Sequence, residues 1–259
     1  MKGTLIVPTL NEADSIGVVI RSFRTAVERA NKEQFSGSPI EWEVLVVDGL
    51  SGDGTADRAR EAGARVLSEP RKGYGRAYLT GLAEAQGDVI ATADGDGTYP
   101  VEEIPGLVHR LETEQLDFIS GDRLTMLNRK AMTTEHRIGN RLLNFFLGIA
   151  YHRFLATLPR GTLVDSQSGF WVFRRSILAR LTLTQEGMAF SEEIKLEAVM
   201  RGFRFEEIPI GYAERWGAPK LSSWRDGQKN LLFLLEKRLA VHRESRHKSA
   251  IAQKKSTPY

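Results

Sequence analysis

The chain has 259 residues, a formal net charge of +3 and no cysteine. Its length predicts one folded core with a short appendage, and the lack of cysteine excludes disulfides and thiolate metal sites. No stretch reaches the roughly 18 uninterrupted apolar residues of a membrane-spanning helix. Because the opening residues run straight into a strand-like pattern, the sequence predicts no signal peptide and a cytoplasmic protein.

The apolar patterns in the first half of the chain predict an α/β domain. Four continuous apolar runs are typical of strands that are covered on both faces: 4–7, 42–47, 89–93 and 116–121. Between the first two runs, apolar residues recur at helical spacing from Ile16 to Ala30, and Asn11 is the expected N-cap. Asp53 is expected to cap a shorter helix that ends near Gly63. This alternation of strands and helices favours a mostly parallel sheet.

Acidic side chains follow the four apolar runs. Glu12 comes after the first run and Asp48 after the second, while Asp94 and Asp96 follow the third and Asp122 the fourth. Because parallel sheets bind ligands beyond the carboxyl ends of their strands, these acids are expected to converge on one rim. A metal ion, basic side chains or a hydroxyl-rich ligand must then balance their mutual repulsion.

The pair Asp94 and Asp96 is the expected metal site. Mg²⁺ is usually held by one or two carboxylates together with the phosphate oxygens of a substrate, so Mg²⁺ or Mn²⁺ is the expected cofactor. Taken alone, the same residues are explained equally well by ordinary Asp-Gly turn chemistry. The repetition of acids at several strand ends favours the metal site.

Several blocks, taken in order, resemble the family 2 glycosyltransferases, and within them the branch that transfers hexoses to dolichyl or polyprenyl phosphate. The blocks are IVPTLNEADSI, VLVVDGLSGDGT, RKGYGRAYLTGLAEAQGDVIATADGDGTYP, GDR, DSQSGFWVFRR and RWGAPKLSSWRDG. The resemblance covers about residues 3–230 and implies the GT-A nucleotide-sugar-binding fold, a Rossmann-like, mostly parallel sheet flanked by helices. It divides the chain into a GT-A domain over 1–230 and a basic amphipathic C-terminal helix and tail over 231–259.

The resemblance also implies roles for individual residues. Those expected along the nucleotide, its ribose and the metal are Pro8, Leu10, Glu12, Asp48, Asp94 and Asp96, with Asp96 as the main metal ligand. Those expected to hold the diphosphate or the acceptor phosphate are Arg123, Arg215 and Lys220. Gly49 departs from the family pattern, because many members carry a second acid at that position.

The implied activity is a metal-dependent, inverting transfer of a hexose from a UDP- or GDP-sugar to polyprenyl phosphate at a membrane surface. A phosphate monoester is largely ionised at neutral pH and needs no general base. A hydroxyl acceptor on a glycan or small molecule is the alternative, and it needs a carboxylate such as Glu193 or Glu192. Both residues are also explained as first-turn acids favoured by a helix dipole. A non-catalytic nucleotide-binding module is the third hypothesis.

Two apolar segments and a basic C-terminal region favour a peripheral protein on the cytoplasmic face of a membrane. Residues 231–235 are Leu-Leu-Phe-Leu-Leu, and residues 236–255 carry seven Lys or Arg against two Glu. This pattern is typical of an interfacial anchor, but a solvated C-terminal helix and a disordered tail are the simpler explanation of the charge.

The segment 142–154 is expected either to guide an isoprenoid chain or to form a buried helix or a dimer face. The last alternative would make the protein a homo-oligomer. Basic and aromatic residues are not interleaved along the chain, which argues against a nucleic acid partner.

Overall fold

The structure is a computed structural model that describes residues 1–126, 134–216 and 227–240. Seven strands form a single sheet: β1 Lys2–Thr9, β2 Glu41–Asp48, β3 Arg65–Ser68, β4 Val89–Thr92, β5 Phe118–Asp122, β6 Trp171–Arg174 and β7 Phe205–Pro209. Their order across the sheet is β3-β2-β1-β4-β6-β5-β7. All strands run in one direction except β6, which is antiparallel to its neighbours β4 and β5. The predicted mostly parallel sheet is confirmed.

Helices cover both faces of this sheet. They are α1 Ile16–Glu33, α2 Thr55–Glu61, α3 Tyr74–Glu84, α4 Ile104–Thr113, α5 Thr134–Leu155, α6 Phe190–Met200 and α7 over 227–240. Because side chains alternate along a strand, Leu5 and Val7 of β1 pack with α1 and α4. Ile6 points to the opposite face, where α3, α5, α6 and α7 form the second apolar core. Each helical layer thus buries one face of the sheet.

The start of α1 differs from the prediction. Ser15 is the N-cap, whereas Asn11 has the left-handed φ of 52° and its side-chain oxygen accepts a hydrogen bond from the Gly52 amide at 2.9 Å. Asn tolerates this conformation in turns better than most residues, so Asn11 joins two loops at the rim, and its prediction as the N-cap is wrong. The shorter helix is confirmed, since α2 ends at Glu61 and Gly63 follows with a φ of 87°. Its N-cap is Gly54, so the prediction of Asp53 as the cap is wrong, although Asp53 accepts a hydrogen bond from the Thr55 amide.

The C-terminal helix α7 packs on the domain through part of its apolar run. The Tyr151 hydroxyl of α5 donates to the Leu234 carbonyl at 2.9 Å, and Phe233 and Leu234 are buried in the second core. The expectation that all of residues 231–235 enter a membrane is therefore wrong for these two. Within the described ranges, every helix is too short or too polar to cross a membrane. Residues 241–259 lie outside the described part, so the basic tail stays a prediction.

Candidate active site

The carboxyl end of β2 places Asp48 at the rim of the sheet. Its carboxylate accepts hydrogen bonds from the Thr9 hydroxyl of β1 at 3.1 Å and from the Ser51 amide at 2.9 Å. Through these two hydrogen bonds, the end of β1 and the loop after β2 are both held by the Asp48 carboxylate. Beside it, Pro8 is buried within β1, and Leu10 is 44% exposed at the loop that follows.

Three of the predicted acids form an acidic cluster beyond β4: Glu12, Asp94 and Asp96. Burial raises the pKa of Asp94 to about 8, and the charges of Asp96 and Glu12 add to the rise. A side chain at Gly95 would collide with the Glu12 carboxylate, so glycine at this position allows Glu12 to approach the loop. Burial together with the neighbouring acids disfavours the ionised form of Asp94, and a bound cation would favour that form.

Each acid of the loop after β4 is held in place by a hydroxyl group. The Tyr74 hydroxyl at the start of α3 donates to Asp94 at 3.2 Å. The Thr98 amide and hydroxyl donate to one Asp96 oxygen at 3.1 and 2.7 Å. The carboxylates are therefore oriented before any ligand arrives.

Arg215 reaches the acidic cluster from the segment that follows β7. Its Nη2 donates to the second oxygen of Asp96 at 2.5 Å, and the Trp216 amide donates to the Asp96 carbonyl at 3.0 Å. The predicted phosphate-binding arginine therefore lies against the predicted metal ligand. Lys220, predicted to act beside it, lies outside the described residues.

Arg123 is fixed by a partner that the sequence analysis missed. Its Nε and Nη2 donate to the two oxygens of Asp165 at 2.7 and 2.9 Å, and both side chains are buried. Burial alone would raise the pKa of Asp165, but the Arg123 guanidinium holds it below its usual value. Asp122 has a separate partner, since Arg160 donates to its carboxylate at 3.1 Å. The two acids at this end of the rim are therefore each paired with an arginine.

Glu193 lies in the first turn of α6 and holds a neighbouring loop. One of its oxygens accepts hydrogen bonds from the Thr184 and Gln185 amides, both at 2.8 Å, and the other from the Thr184 hydroxyl at 2.9 Å. The carbonyls of Glu186 and Gly187 in this loop in turn accept hydrogen bonds from the start of α3. These contacts favour a structural role for Glu193.

Glu192 points into a different buried environment. One of its oxygens accepts a hydrogen bond from the Ser166 hydroxyl at 3.3 Å, and burial raises its pKa from the ordinary 4.5 to about 8. The nearby Lys195 donates to the Asp165 carbonyl at 2.6 Å, and burial lowers the pKa of this lysine to about 8. Glu192 therefore keeps its proton near neutral pH.

We expect Glu192→Gln to remove part of the pH dependence of stability. Between pH 4.5 and 8 the unfolded state ionises Glu192 while the folded state keeps it protonated, so the wild type loses stability as the pH rises, on the order of 3 kcal/mol across this window. The glutamine variant lacks this loss. Urea unfolding at about pH 5 and pH 8 measures it, with Glu236→Gln at an exposed position as the control. Parallel pH profiles for wild type and Glu192→Gln would contradict the assignment.

Comparison with known proteins identifies the family. The family described as Glycosyl transferase family 2 matches residues 4–182. The chain belongs to this family. It is therefore a glycosyltransferase, and the alternative of a non-catalytic module is set aside.

Two curated relatives of this family 2 glycosyltransferase come from Haloferax volcanii. The chain is 33% identical over 224 residues to a dolichyl-phosphate hexose transferase, covering 86% of this chain and 88% of that protein. It is also 33% identical over 234 residues to a low-salt glycan biosynthesis hexosyltransferase. That match covers 90% of this chain and 52% of the relative, so the chain spans about half of that protein's length. The resemblance to the hexosyltransferase branch is confirmed.

A solved structure shares the fold of this family 2 glycosyltransferase. Glucosyl-3-phosphoglycerate synthase from Mycobacterium tuberculosis, in complex with Mn²⁺, uridine diphosphate and glucosyl-3-phosphoglycerate, superposes with a TM-score of 0.70. The match covers 92% of this chain and 79% of that chain at 23% sequence identity. The predicted GT-A fold is confirmed.

Proposed function

We propose that this glycosyltransferase moves a hexose from a UDP- or GDP-sugar to polyprenyl phosphate at a membrane surface, with inversion at the anomeric carbon and with Mg²⁺ or Mn²⁺. The observation that carries the proposal is the acidic cluster of Glu12, Asp94 and Asp96 with two arginines, Arg123 and Arg215, at the same rim. The named activity of the dolichyl-phosphate hexose transferase supports the acceptor. The Mn²⁺ and uridine diphosphate of the solved structure support the donor and the metal.

The residues at the rim fit a divalent cation that binds together with a phosphate ligand. In the described part of the chain, no group of three or more His, Cys, Asp or Glu side chains is arranged as a metal site. Asp94 and Asp96 supply two carboxylates, and Mg²⁺ commonly completes such a pair with substrate phosphate oxygens and water. Burial, with the charges of Asp96 and Glu12, raises the pKa of Asp94, and a cation bound there would favour its ionised form. We therefore propose Asp94 and Asp96 as the metal ligands.

The charged side chains of the chain have separate tasks in this mechanism. Asp94 and Asp96 would hold the cation, which would offset the negative charge that develops on the departing diphosphate. Arg215 already contacts Asp96, so it is close enough to hold the diphosphate, and Lys220 is proposed to assist it. Pro8, Leu10, Glu12 and Asp48 are proposed to line the nucleotide.

Arg123 is proposed to hold the acceptor phosphate or the diphosphate. Asp165 occupies its Nε and Nη2, so the planar guanidinium is presented in one fixed orientation. A guanidinium matches phosphate through paired hydrogen bonds. This preorganised cation orients an ionised phosphate and does not need to remove a proton from it.

The environments of Glu192 and Glu193 favour a phosphate acceptor over a hydroxyl acceptor. Glu193 uses both oxygens on the loop at Thr184 and Gln185. Glu192 is held protonated near neutral pH by its raised pKa, and a protonated carboxyl cannot accept a proton from a sugar hydroxyl. A phosphate monoester needs no such base.

A transfer assay tests the proposal. UDP- and GDP-hexoses are offered with polyprenyl phosphate, with Mg²⁺, with Mn²⁺ and with chelator, to the wild type and to Glu193→Gln. We expect metal-dependent transfer by both proteins with kcat within about threefold, because the amide oxygen of the introduced glutamine still accepts the two backbone N–H groups. Collapse of kcat in the variant, with an unchanged thermal midpoint, would support the hydroxyl route. Absence of transfer by the wild type across the whole panel would overturn the proposal.

A further inference from the structure

We infer that the indole ring of Trp216 is the surface on which the hexose of the donor rests. The inference deepens the proposed function and rests on its nucleotide-sugar donor. Trp216 is 52% exposed, and its backbone amide donates to the Asp96 carbonyl at 3.0 Å. A large aromatic side chain that is held beside a proposed metal ligand, with about half of its surface uncovered, is suited to contact a bound ligand.

The ring of Trp216 is placed by the loop that carries Asp94 and Asp96. Its Cδ1, Nε1 and Cγ atoms lie 3.5–3.9 Å from the point where a Cβ atom on Gly97 would stand, so the ring packs against this glycine. The neighbouring Arg215 donates to the Asp96 carboxylate at 2.5 Å. The backbone hydrogen bond and the adjacent ion pair therefore hold the ring next to the proposed metal ligands.

The segment that ends at Trp216 crosses the rim from β5 to β4. It follows β7 at the edge of the sheet, and the strand order places β6 between β5 and β4. Three of its amides donate to carbonyls along the rim, each at 3.0 Å: Ile210 to Asp122, Ala213 to Thr98 and Trp216 to Asp96. Because Asp122 ends β5 and Thr98 lies in the loop after β4, the segment spans the rim between these two points. Trp216 lies at the β4 end of this span.

The order of the proposed ligand groups along the rim assigns this span to the hexose. Asp48, proposed to line the nucleotide, ends β2, and the proposed metal ligands follow β4. Arg123, proposed to hold a phosphate, follows β5. In an inverting transfer the hexose is joined to the diphosphate on one side and is attacked by the acceptor on the other. The hexose is therefore expected between the loop after β4 and Arg123, which is the span that Trp216 borders.

The chemistry of a pyranose ring suits this aromatic surface. A face of the ring presents C–H groups, whereas most hydroxyl groups of a hexose point outwards around its edge. The face of an indole ring carries partial negative charge and attracts such C–H groups, and covering it removes apolar area from water. The hydroxyl groups stay available to polar partners. Trp216 is therefore expected to add affinity for the sugar that is separate from the charges that hold the diphosphate.

Isothermal titration calorimetry of the full chain tests the inference without requiring turnover. The probes are UDP with UDP-glucose and GDP with GDP-mannose, all in Mg²⁺, and the variants are measured with the pair that the wild type binds more tightly. We expect Trp216→Ala to bind the nucleotide sugar about tenfold more weakly and the free nucleotide as tightly as the wild type does. Trp216→Phe keeps an aromatic face and should recover most of the affinity. Phe145→Ala, at an exposed aromatic residue of α5, is the matched control and should change neither affinity.

The two ligands of each pair separate the explanations. An equal loss of affinity for the nucleotide and the nucleotide sugar in Trp216→Ala would place the ring on the base or the diphosphate and overturn the inference. Unchanged affinity for both ligands would overturn it as well. A selective loss for the nucleotide sugar, with no transfer to polyprenyl phosphate by the wild type, would support the inference and contradict only the proposed acceptor. Normal transfer by the wild type, with no selective loss in the variant, would contradict only the inference. A wild type that binds none of the probes would overturn both.

Discussion

Asp96→Asn is expected to lower kcat/KM for hexose transfer by about a hundredfold to a thousandfold, the range found when one preorganised charge-stabilising group is removed. Asp96 is nearly buried, is oriented by Thr98 and contacts Arg215, so its charge is available at one defined place. The amide keeps the shape and can still accept the Thr98 hydrogen bonds. Steady-state transfer at several Mn²⁺ and Mg²⁺ concentrations measures the loss, which excess metal should not restore.

The same substitution should leave the fold intact. Removing one negative charge from the acidic cluster relieves the repulsion that acts on Asp94, and Arg215, which loses this partner, is partly exposed to water, so the thermal midpoint is expected to change little. Asp57→Asn serves as the control, because Asp57 is an exposed acid of α2 whose partner Arg60 is also exposed; it should change neither quantity. A fall in the thermal midpoint as severe as the loss of activity would show that Asp96 supports the structure instead.

Asp165→Ala is expected to destabilise the protein by about 3–5 kcal/mol, which is typical when one partner of a buried ion pair is removed. Arg123 would then keep its charge in a buried position without a counterion, beside the Tyr212 ring at 5.3 Å. For a protein of this size, the loss corresponds to a thermal midpoint lower by on the order of 10 °C. Urea unfolding followed by circular dichroism measures the free energy directly.

A double-mutant cycle identifies the cause of that loss. Arg123→Met combined with Asp165→Ala removes both charges, and part of the stability lost in Asp165→Ala should return, because no buried charge is left unpaired. Hexose transfer should stay low in the double variant, since the proposed phosphate-binding cation is gone. Strict additivity of the single effects on stability would contradict the importance of the pair.

The sequence predicted four strands from continuous apolar runs and missed β3, β6 and β7. The runs that became β1, β2, β4 and β5 are covered on both faces, so their apolar character is continuous. The three missed strands are four or five residues long, and two of them, β3 and β7, are edge strands that contain charged residues. Edge strands are half exposed, and the apolar pattern that would reveal them is weak.

The acidic side of the rim was predictable, whereas the partner of Arg123 was not. Parallel strands bring their carboxyl ends to one edge, so Asp48, Asp94 and Asp96 could be placed there from the order of the runs alone. Asp165 precedes the start of β6 and reaches the same edge only because β6 is reversed. The sequence signal for Asp165 was the polar block from Asp165 to Ser168, which comes just before an aromatic run. This block did not show in which direction the following strand, β6, runs.

The inner and outer sides of α7 could not be separated from the sequence. Its five consecutive apolar residues have no periodicity, so the pattern alone could not show which of them face the core. Packing against Tyr151 and the rest of the second core selects Phe233 and Leu234. The membrane interpretation of this run therefore needed the tertiary structure.

The reversed strand β6 has a consequence for how this enzyme can change. The chain leaves the rim at Arg123 and returns to it at Asp165, and one ion pair joins these two positions. Because both positions lie at the same edge, the connection between them can change in length without shifting the register of a strand. Its core residues Leu143, Leu147 and Tyr151 must still cover the sheet, so variation is expected on the outer side of α5.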